Sequence, residues 1–93
     1  MQGFDWDADK NSSNLEKHGI AFETAAKIFD GPTVEFEDRR RDYREARVIA
    51  FGEAEGRILG VVYVRRGDRI RIISARRASR REREFYHEKI TPE

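Results

Sequence analysis

Two apolar runs, residues 48–51 and 58–64, constrain most strongly what this chain can fold into. The chain has 93 residues, of which 40% are charged, and these runs supply much of the apolar surface available for a core. Both runs have the length of a strand, and a Gly-containing turn over residues 52–56 separates them. A chain of this length forms one domain, so we expect residues 1–93 to fold as a single unit around one sheet.

Shorter patterns on either side of these runs complete an α+β order. We expect an extended start at residues 4–6, helices from residue 7 or 8 to residue 18 and over 22–29, and strands over 33–37, 46–51, 57–65 and 69–74. Gly19 is expected to end the first helix as its C-cap. Ser79 is expected to begin the last helix, which runs to about residue 89, in a reciprocal cap with Glu82. Because the connections between strands have hairpin length, we expect an antiparallel sheet of three to four strands.

Several classes of site and location are excluded by the sequence. Cysteine is absent, so disulfides and thiolate metal sites are excluded. The two histidines, His18 and His87, share no ligand spacing, and we therefore predict no metal site and no cofactor. No N-terminal stretch resembles a signal peptide, and no run approaches the roughly twenty apolar residues of a membrane span. We expect an intracellular, cytoplasmic protein that does not contact membranes.

Arginine is concentrated in one segment of the chain. Residues 65–83 hold nine of the fifteen arginines and only two acidic residues, Asp68 and Glu82. Residues 39–93 hold sixteen basic and nine acidic side chains, whereas residues 1–38 hold three basic and nine acidic side chains. The net charge of +1 is therefore the sum of a negative N-terminal part and a positive C-terminal part, and we expect a dipolar molecule. Because the planar guanidinium binds phosphate oxygens in pairs and stacks on bases, this segment is expected to contact phosphate.

The alternation of residues along the strands predicts where some of these arginines lie. In residues 69–74, Ile70 and Ile72 are expected to face the core and Arg71 the opposite side. Tyr63 and Arg65 share one face of the neighbouring strand and could lie beside Arg71, forming an aromatic and cationic platform for RNA. The alternative is a solvated sheet face on which arginines serve solubility or block an edge.

A polar stripe on the first helix is a second candidate site. Its members fall at i, i+4, i+7 and i+8 of the helix: Lys10, Asn14, Lys17 and His18. The unperturbed pKa of histidine, roughly 6.5, would let His18 transfer a proton at cellular pH. The alternative is that His18 complements the helix dipole at the C-terminal end.

On the last helix, Glu82 and Tyr86 lie one turn apart and share a face. This spacing would allow both side chains to reach one site. The alternative is that Glu82 is a cap residue and Tyr86 a core ring with a hydrated hydroxyl group.

Several segments, found together in this order, resemble the BrnT family of bacterial toxins. They are Phe4, Asp5, Trp6 and Asp7 with Lys10; the N-L-E-K-H-G-I segment at residues 14–20 with Phe22; Ala25, Ala26, Phe29 and Asp30; and the R-I-I-S-A-R-R-A segment at residues 71–78 with Glu82 and Tyr86. The match runs nearly end to end. The stretch over residues 35–47 does not resemble a shared motif.

The resemblance implies a RelE-like fold, ribonuclease activity that arrests translation, and a BrnA-type antitoxin that neutralises the toxin and binds operator DNA. Residue by residue, it implies an RNA-cleaving site formed by Lys17, His18, Arg76, Glu82 and Tyr86, supported by Arg71 and Arg77. Metal-free cleavage needs a base, cations for the charge on the phosphorane, and an acid. Arg76 and Arg71 suit the stabilising role, and His18 or Glu82 could be the general base. Tyr86 could stack on a nucleobase or position the phosphate. The alternative function is a non-catalytic domain that binds nucleic acid or docks a partner.

Overall fold

The computed structural model of the protein describes residues 3–39 and 45–91. Its elements are β1 (Gly3–Trp6), α1 (Ala8–His18), α2 (Phe22–Ala25), a 3-10 helix (Ala26–Asp30), β2 (Val34–Asp38), β3 (Arg47–Ala54), β4 (Arg57–Arg66), β5 (Arg69–Arg77) and α3 (Arg80–Ile90). The strands form one sheet in the order β1-β5-β4-β3-β2. No helix within the described ranges has the length and apolar character needed to cross a bilayer.

The α+β class is confirmed, but the predicted strand count and pairing are wrong in detail. The extended start at residues 4–6 is a fifth strand, β1, which pairs with β5 in parallel, with Phe4 opposite Ile70. The remaining neighbours are antiparallel, as expected. A parallel pair needs no hairpin between its strands, so hairpin-length connections could not reveal it.

The region between α1 and β2 also differs from the single helix predicted over residues 22–29. It consists of the four-residue α2 followed by the 3-10 helix. This 3-10 helix lies so close to β3 that a Cβ atom on Gly52 would be 2.8 Å from Cβ of Ile28. Gly52 therefore belongs to the strand rather than to a turn. β3 continues to Ala54, and the hairpin turn is only Glu55 and Gly56, whose φ values of 53° and 78° are typical of primed two-residue turns.

Helices cover the two faces of the sheet unequally. α1, α2 and the 3-10 helix cover one face, which we call the helical face; its core consists of Ile20, Phe22, Ala25 and Ile28 with Ala50, Ala54, Leu59, Val61, Tyr63, Ile70, Ile72 and Ala75. α3 lies on the other face, where Tyr86 packs with Phe51, Ile58 and Ala78. We call this the groove face, because α3 covers it only in part.

Asn14 attaches α1 to the helical face. Its Nδ2 donates to the backbone oxygens of Ile20 and Ala75 at 2.9 and 2.8 Å, and its Oδ1 accepts from the backbone nitrogen of Ala75 at 3.1 Å. Asn14 is buried, so the predicted polar stripe is wrong at this position. Gly19 ends α1 with φ 71°, which confirms the predicted C-cap.

Candidate active site

A β-bulge in β5 decides which arginines reach the groove face. Val62 pairs with Ser74 and Tyr63 pairs with Ile72, so Ile73 is the extra residue. Without the bulge, Arg71 and Arg76, five residues apart, would project from opposite faces of the sheet. With it, both project from the groove face.

The predicted platform of Tyr63, Arg65 and Arg71 is wrong, because these residues lie on opposite faces. Tyr63 is 2% exposed in the core of the helical face, and its ring meets Phe29 edge to face at 5.3 Å. The Arg65 guanidinium lies 6.0 Å from the Tyr63 ring centre, on the same side. Arg71 pairs with Val64 across the strands and donates to Oδ1 of Asp5 at 3.1 Å.

The hydroxyl group of Tyr63 has a partner of its own. It donates to Oε1 of Glu35 at 2.6 Å. Burial, together with this bond and the charge of Glu35, raises the pKa of Tyr63 to about 12. Tyr63 therefore joins β4 to β2 as a core residue, and its phenol stays protonated at neutral pH.

Arg76 and Glu82 form the most specific polar contact on the groove face. Arg76 Nη1 lies 2.7 Å from Oε1 of Glu82, and Nη2 lies 3.0 Å from Oε2. The Arg76 guanidinium also lies 5.8 Å from the ring centre of Phe51. A two-point ion pair of this kind fixes the direction of the guanidinium plane.

Glu82 also forms the reciprocal cap of α3 that the sequence predicts. Its Oε1 accepts from the backbone nitrogen of Ser79 at 2.8 Å, and its own backbone nitrogen donates to Oγ of Ser79 at 3.2 Å. The bond from Arg76, followed by that from the Ser79 backbone, lowers the pKa of Glu82 to about 2 against the opposing effect of burial. Glu82 is thus ionised at neutral pH and is a poor proton acceptor.

A groove of about 580 Å³ opens beside this ion pair, between α3 and the strands β2 and β3. The described residues that line it are Val34, Phe36, Glu37, Asp38, Arg39, Ile49, Phe51, Arg76, Arg81, Glu82, Phe85 and Tyr86. Phe36 and Phe85 are 43% and 37% exposed, and their ring centres lie 5.7 Å apart. The groove therefore combines exposed aromatic rings with an oriented guanidinium.

Tyr86 forms part of the groove wall, with its hydroxyl group held by the protein. The residue is 1% exposed, and the hydroxyl donates to the backbone oxygen of Pro32 at 2.7 Å. Burial raises the pKa of this phenol. The contacts of Tyr86 thus attach α3 to the segment before β2.

Lys17 and His18 do not join this group. Both are exposed in the last turn of α1, on the side of the helical face, and neither lines the groove. In this position their cationic forms complement the C-terminal end of the helix dipole. Arg77, opposite Leu59, is directed to the helical face as well. The structure thus brings Arg76, Glu82 and Tyr86 together and separates them from His18.

Sequence reasoning missed the aromatic residues of the groove and the partner of Arg71. Phe36 follows Val34 by two residues and Phe85 follows Glu82 by three, so strand and helix periodicity contained the signal. Asp5, which binds both Arg69 and Arg71, could not be found because the parallel pairing of β1 was not predicted. Among residues 3–39 and 45–91, no group of three or more potential ligand side chains could hold a metal ion.

Two comparisons with known proteins found a match. A family model described as the ribonuclease toxin BrnT of type II toxin-antitoxin systems matches residues 6–82, a span that includes Arg76 and Glu82. The chain is also similar to the 1.1 Å crystal structure of the Brucella abortus ribonuclease toxin BrnT, with a TM-score of 0.66 and 29% identity, over 86% of this chain and 99% of that chain. No match was found among curated proteins.

Proposed function

This chain belongs to the BrnT family, the ribonuclease toxins of type II toxin-antitoxin systems, and we propose that it cleaves RNA in the groove beside Arg76. The observation that carries this proposal is the two-point ion pair of Arg76 with Glu82 at the wall of an aromatic groove. An oriented guanidinium in such a site can bind the scissile phosphate and stabilise the charge that develops on it.

RNA carries its own nucleophile, the 2′-hydroxyl group. In the proposed reaction this oxygen loses its proton and attacks the adjacent phosphorus, while the bond from phosphorus to the 5′-oxygen breaks and that oxygen gains a proton. The products are a 2′,3′-cyclic phosphate and a free 5′-hydroxyl end. Arg76 acts on the non-bridging oxygens, whose negative charge increases in the transition state. Glu82 is a positioning residue, since its lowered pKa of about 2 keeps it ionised against Arg76.

Phe36 and Phe85 are the proposed contacts for bases on either side of the cut. Both rings are exposed, so an unstacked base can reach them without displacing the core. Stacking on an aromatic ring is tolerant of base identity and is a common way in which proteins bind single-stranded RNA. The groove therefore suits a single strand rather than a duplex.

The other sequence-derived roles stay predictions. The proton-transfer role of His18 and the RNA contacts of Lys17, Arg65 and Arg77 concern exposed side chains outside the groove. Arg71 is half-buried and paired with Asp5 on the groove face. For Tyr63 the core position and the bond to Glu35 support a structural role instead.

We also propose that the antitoxin of this family member is of the BrnA type and that it covers the groove. The exposed Phe36 and Phe85 support this, because a partner that buries both rings would block the approach of RNA to Arg76. Operator DNA would then be bound through the antitoxin. We further propose that the protein acts in the cytoplasm by arresting translation and that its fold is RelE-like.

Cleavage in the presence of a chelator tests the proposed chemistry. The purified chain is incubated with a single-stranded RNA in excess EDTA, and the new ends are identified by mass spectrometry. The expected product is a 2′,3′-cyclic phosphate or its hydrolysis product, and an oligonucleotide of the same sequence with 2′-deoxyribose should stay intact. Activity that disappears in EDTA and returns with magnesium, or equal cleavage of the deoxy control, would contradict the proposal.

A further inference from the structure

A second hollow, of about 340 Å³, lies at the end of the sheet where the β3–β4 turn meets the end of β5. The described residues that line it are Glu53, Gly56, Arg57, Ile58, Arg77, Ala78, Arg83 and His87. We infer that this arginine hollow binds a backbone phosphate of the RNA, at a distance from the groove in which the strand is cut. The inference rests on the proposed ribonuclease function and adds a second contact site for the substrate.

Three separate elements supply the arginines of the hollow. Arg57 is the first residue of β4, directly after the two-residue turn, and Arg77 is the last residue of β5. Both strands run side by side here, with Leu59 opposite Arg77. Arg83 comes from α3, and its Nη1 donates to the backbone oxygen of Ala78 at 3.1 Å. That bond holds the Arg83 guanidinium at the hollow through a single nitrogen.

Charge distinguishes these arginines from most of the other arginines that the structure describes. Carboxylates within 4 Å form ion pairs with Arg39, Arg66, Arg69, Arg71, Arg76 and Arg80, and Asp5 is shared by Arg69 and Arg71. Over residues 3–39 and 45–91, no carboxylate lies within ion-pair distance of Arg57, Arg77 or Arg83. Glu55, which interacts electrostatically with Arg57, is itself paired with Lys27 at 2.8 Å. Glu53 is the single acidic residue among those that line the hollow. Three guanidinium groups against one carboxylate leave a net positive hollow, which favours an anion with several oxygen acceptors.

The position of the hollow relative to the groove supports the assignment of the anion to the RNA substrate. α3 separates the two sites, with Arg81, Glu82 and Phe85 lining the groove and Arg83 and His87 lining the hollow. At the start of the helix, the neighbouring residues Arg76 and Arg77 project from opposite faces of β5. A single strand that crosses the first turn of α3 can therefore place one phosphate at Arg76 and another in the arginine hollow.

The salt dependence of RNA binding measures this second contact. Binding of a fully 2′-O-methylated single strand, which cannot form the cyclic phosphate, is followed by fluorescence anisotropy between 0.05 and 0.3 M salt. Each phosphate contact on a single strand contributes about 0.7 to the slope of log K against log salt. Loss of this one phosphate contact in the double variant R57Q/R83Q should therefore lower the slope by about 0.7 and the affinity at 0.15 M salt by about fourfold.

A matched control removes the same charge from the other end of the sheet. Arg66 and Arg69 flank the β4–β5 turn, with Arg66 roughly 30 Å from Arg57 along β4. Each is already paired with a carboxylate, Glu45 or Asp5. The double variant R66Q/R69Q should therefore change the slope by much less. Thermal unfolding of both variants confirms that the fold is retained.

Two outcomes would overturn the inference. If R57Q/R83Q keeps the wild-type slope while the wild type cleaves RNA, the hollow is not a phosphate site and the proposed function stands. If both double variants lower the slope equally, net charge rather than the hollow is responsible. A wild type that binds with the expected slope, loses it in R57Q/R83Q and yet does not cleave RNA would support the hollow and contradict the proposed function.

Discussion

Arg76 and Glu82 face each other across the junction of β5 and α3, joined by two bonds of 2.7 and 3.0 Å. The same Glu82 carboxylate caps α3 through Ser79. One side chain thus fixes the direction of the candidate catalytic cation and the start of the helix that forms a wall of the groove. Glu82 is therefore expected to influence both stability and activity.

Replacing Glu82 with Gln should destabilise the protein in a pH-dependent way. The pKa of Glu82 is lowered from its ordinary 4.5 to about 2, so the ionised form stabilises the fold above about pH 4.5. That stabilisation is lost as the pH falls from 4.5 through 2. After allowance for solvent screening, we expect E82Q to lose about 1–3 kcal/mol of unfolding free energy at pH 7. Urea unfolding at pH 7 and pH 2.5 measures this, and an equal loss at both values would contradict the account.

Removing the aromatic rings of the groove should weaken RNA binding without unfolding the protein. Phe36 and Phe85 are both partly exposed, and base stacking on such rings is worth about 1–3 kcal/mol for each base. We expect F36A and F85A each to weaken binding of a 2′-O-methylated RNA by about tenfold or more. Leu15, a large side chain 50% exposed on α1, provides the control variant L15A. A similar loss in L15A would show that the groove is not the binding surface.

Tyr63 is expected to matter for stability and not for RNA cleavage. Its phenol donates to Glu35 at 2.6 Å, and the ring is buried. The variant Y63F removes the hydroxyl group and keeps the ring, so we expect a loss of about 1 kcal/mol in unfolding free energy. The cleavage rate at saturating RNA should stay within about twofold of the wild type. A much lower rate in a protein of nearly unchanged stability would restore Tyr63 to the RNA site.

Replacing His18 with Ala distinguishes a catalytic role of this residue from a capping role. If His18 transfers a proton, its replacement by Ala should lower the cleavage rate by roughly a hundredfold or more, with little change in thermal midpoint. As a residue at the C-terminal end of α1 it would contribute about 0.3–2 kcal/mol to stability. Because His18 lies outside the groove, we expect H18A to be destabilised and to keep its activity. A stable, inactive H18A would contradict the separation of α1 from the site.

Local patterns in the sequence were sufficient to predict most elements of this fold. The strands of the β3–β4 and β4–β5 hairpins, the Gly19 C-cap and the Ser79 capping box all depend on residues close together in the chain. The pairing of β1 with β5 does not, since it joins residues 66 positions apart such as Phe4 and Ile70. No local signal identifies a partner at that distance.

The candidate site shows the same limit. The capping box predicted where Glu82 lies, but the bulge at Ile73, which places Arg71 on the same face as Arg76, was not predicted. An uninterrupted period of two would place Arg71 and Arg76 on opposite faces of the sheet. Asn14 also could not be placed from the sequence. It belongs to the predicted polar stripe of α1, yet it is buried and forms hydrogen bonds with the Ala75 backbone. Tertiary contacts, rather than residue type, decided these positions.

The cleavage rate of an Arg76 variant tests the central claim most directly. R76A and R76K are compared with R80A, which removes a charge that is 87% exposed and paired with Glu84 on α3. Loss of a group that stabilises the transition state typically costs about a hundredfold to a thousandfold in rate. We expect that loss in R76A, a large loss in R76K because an ammonium cannot replace the guanidinium fork, and a nearly wild-type rate in R80A. Folded R76A that cleaves RNA as fast as R80A would contradict the account.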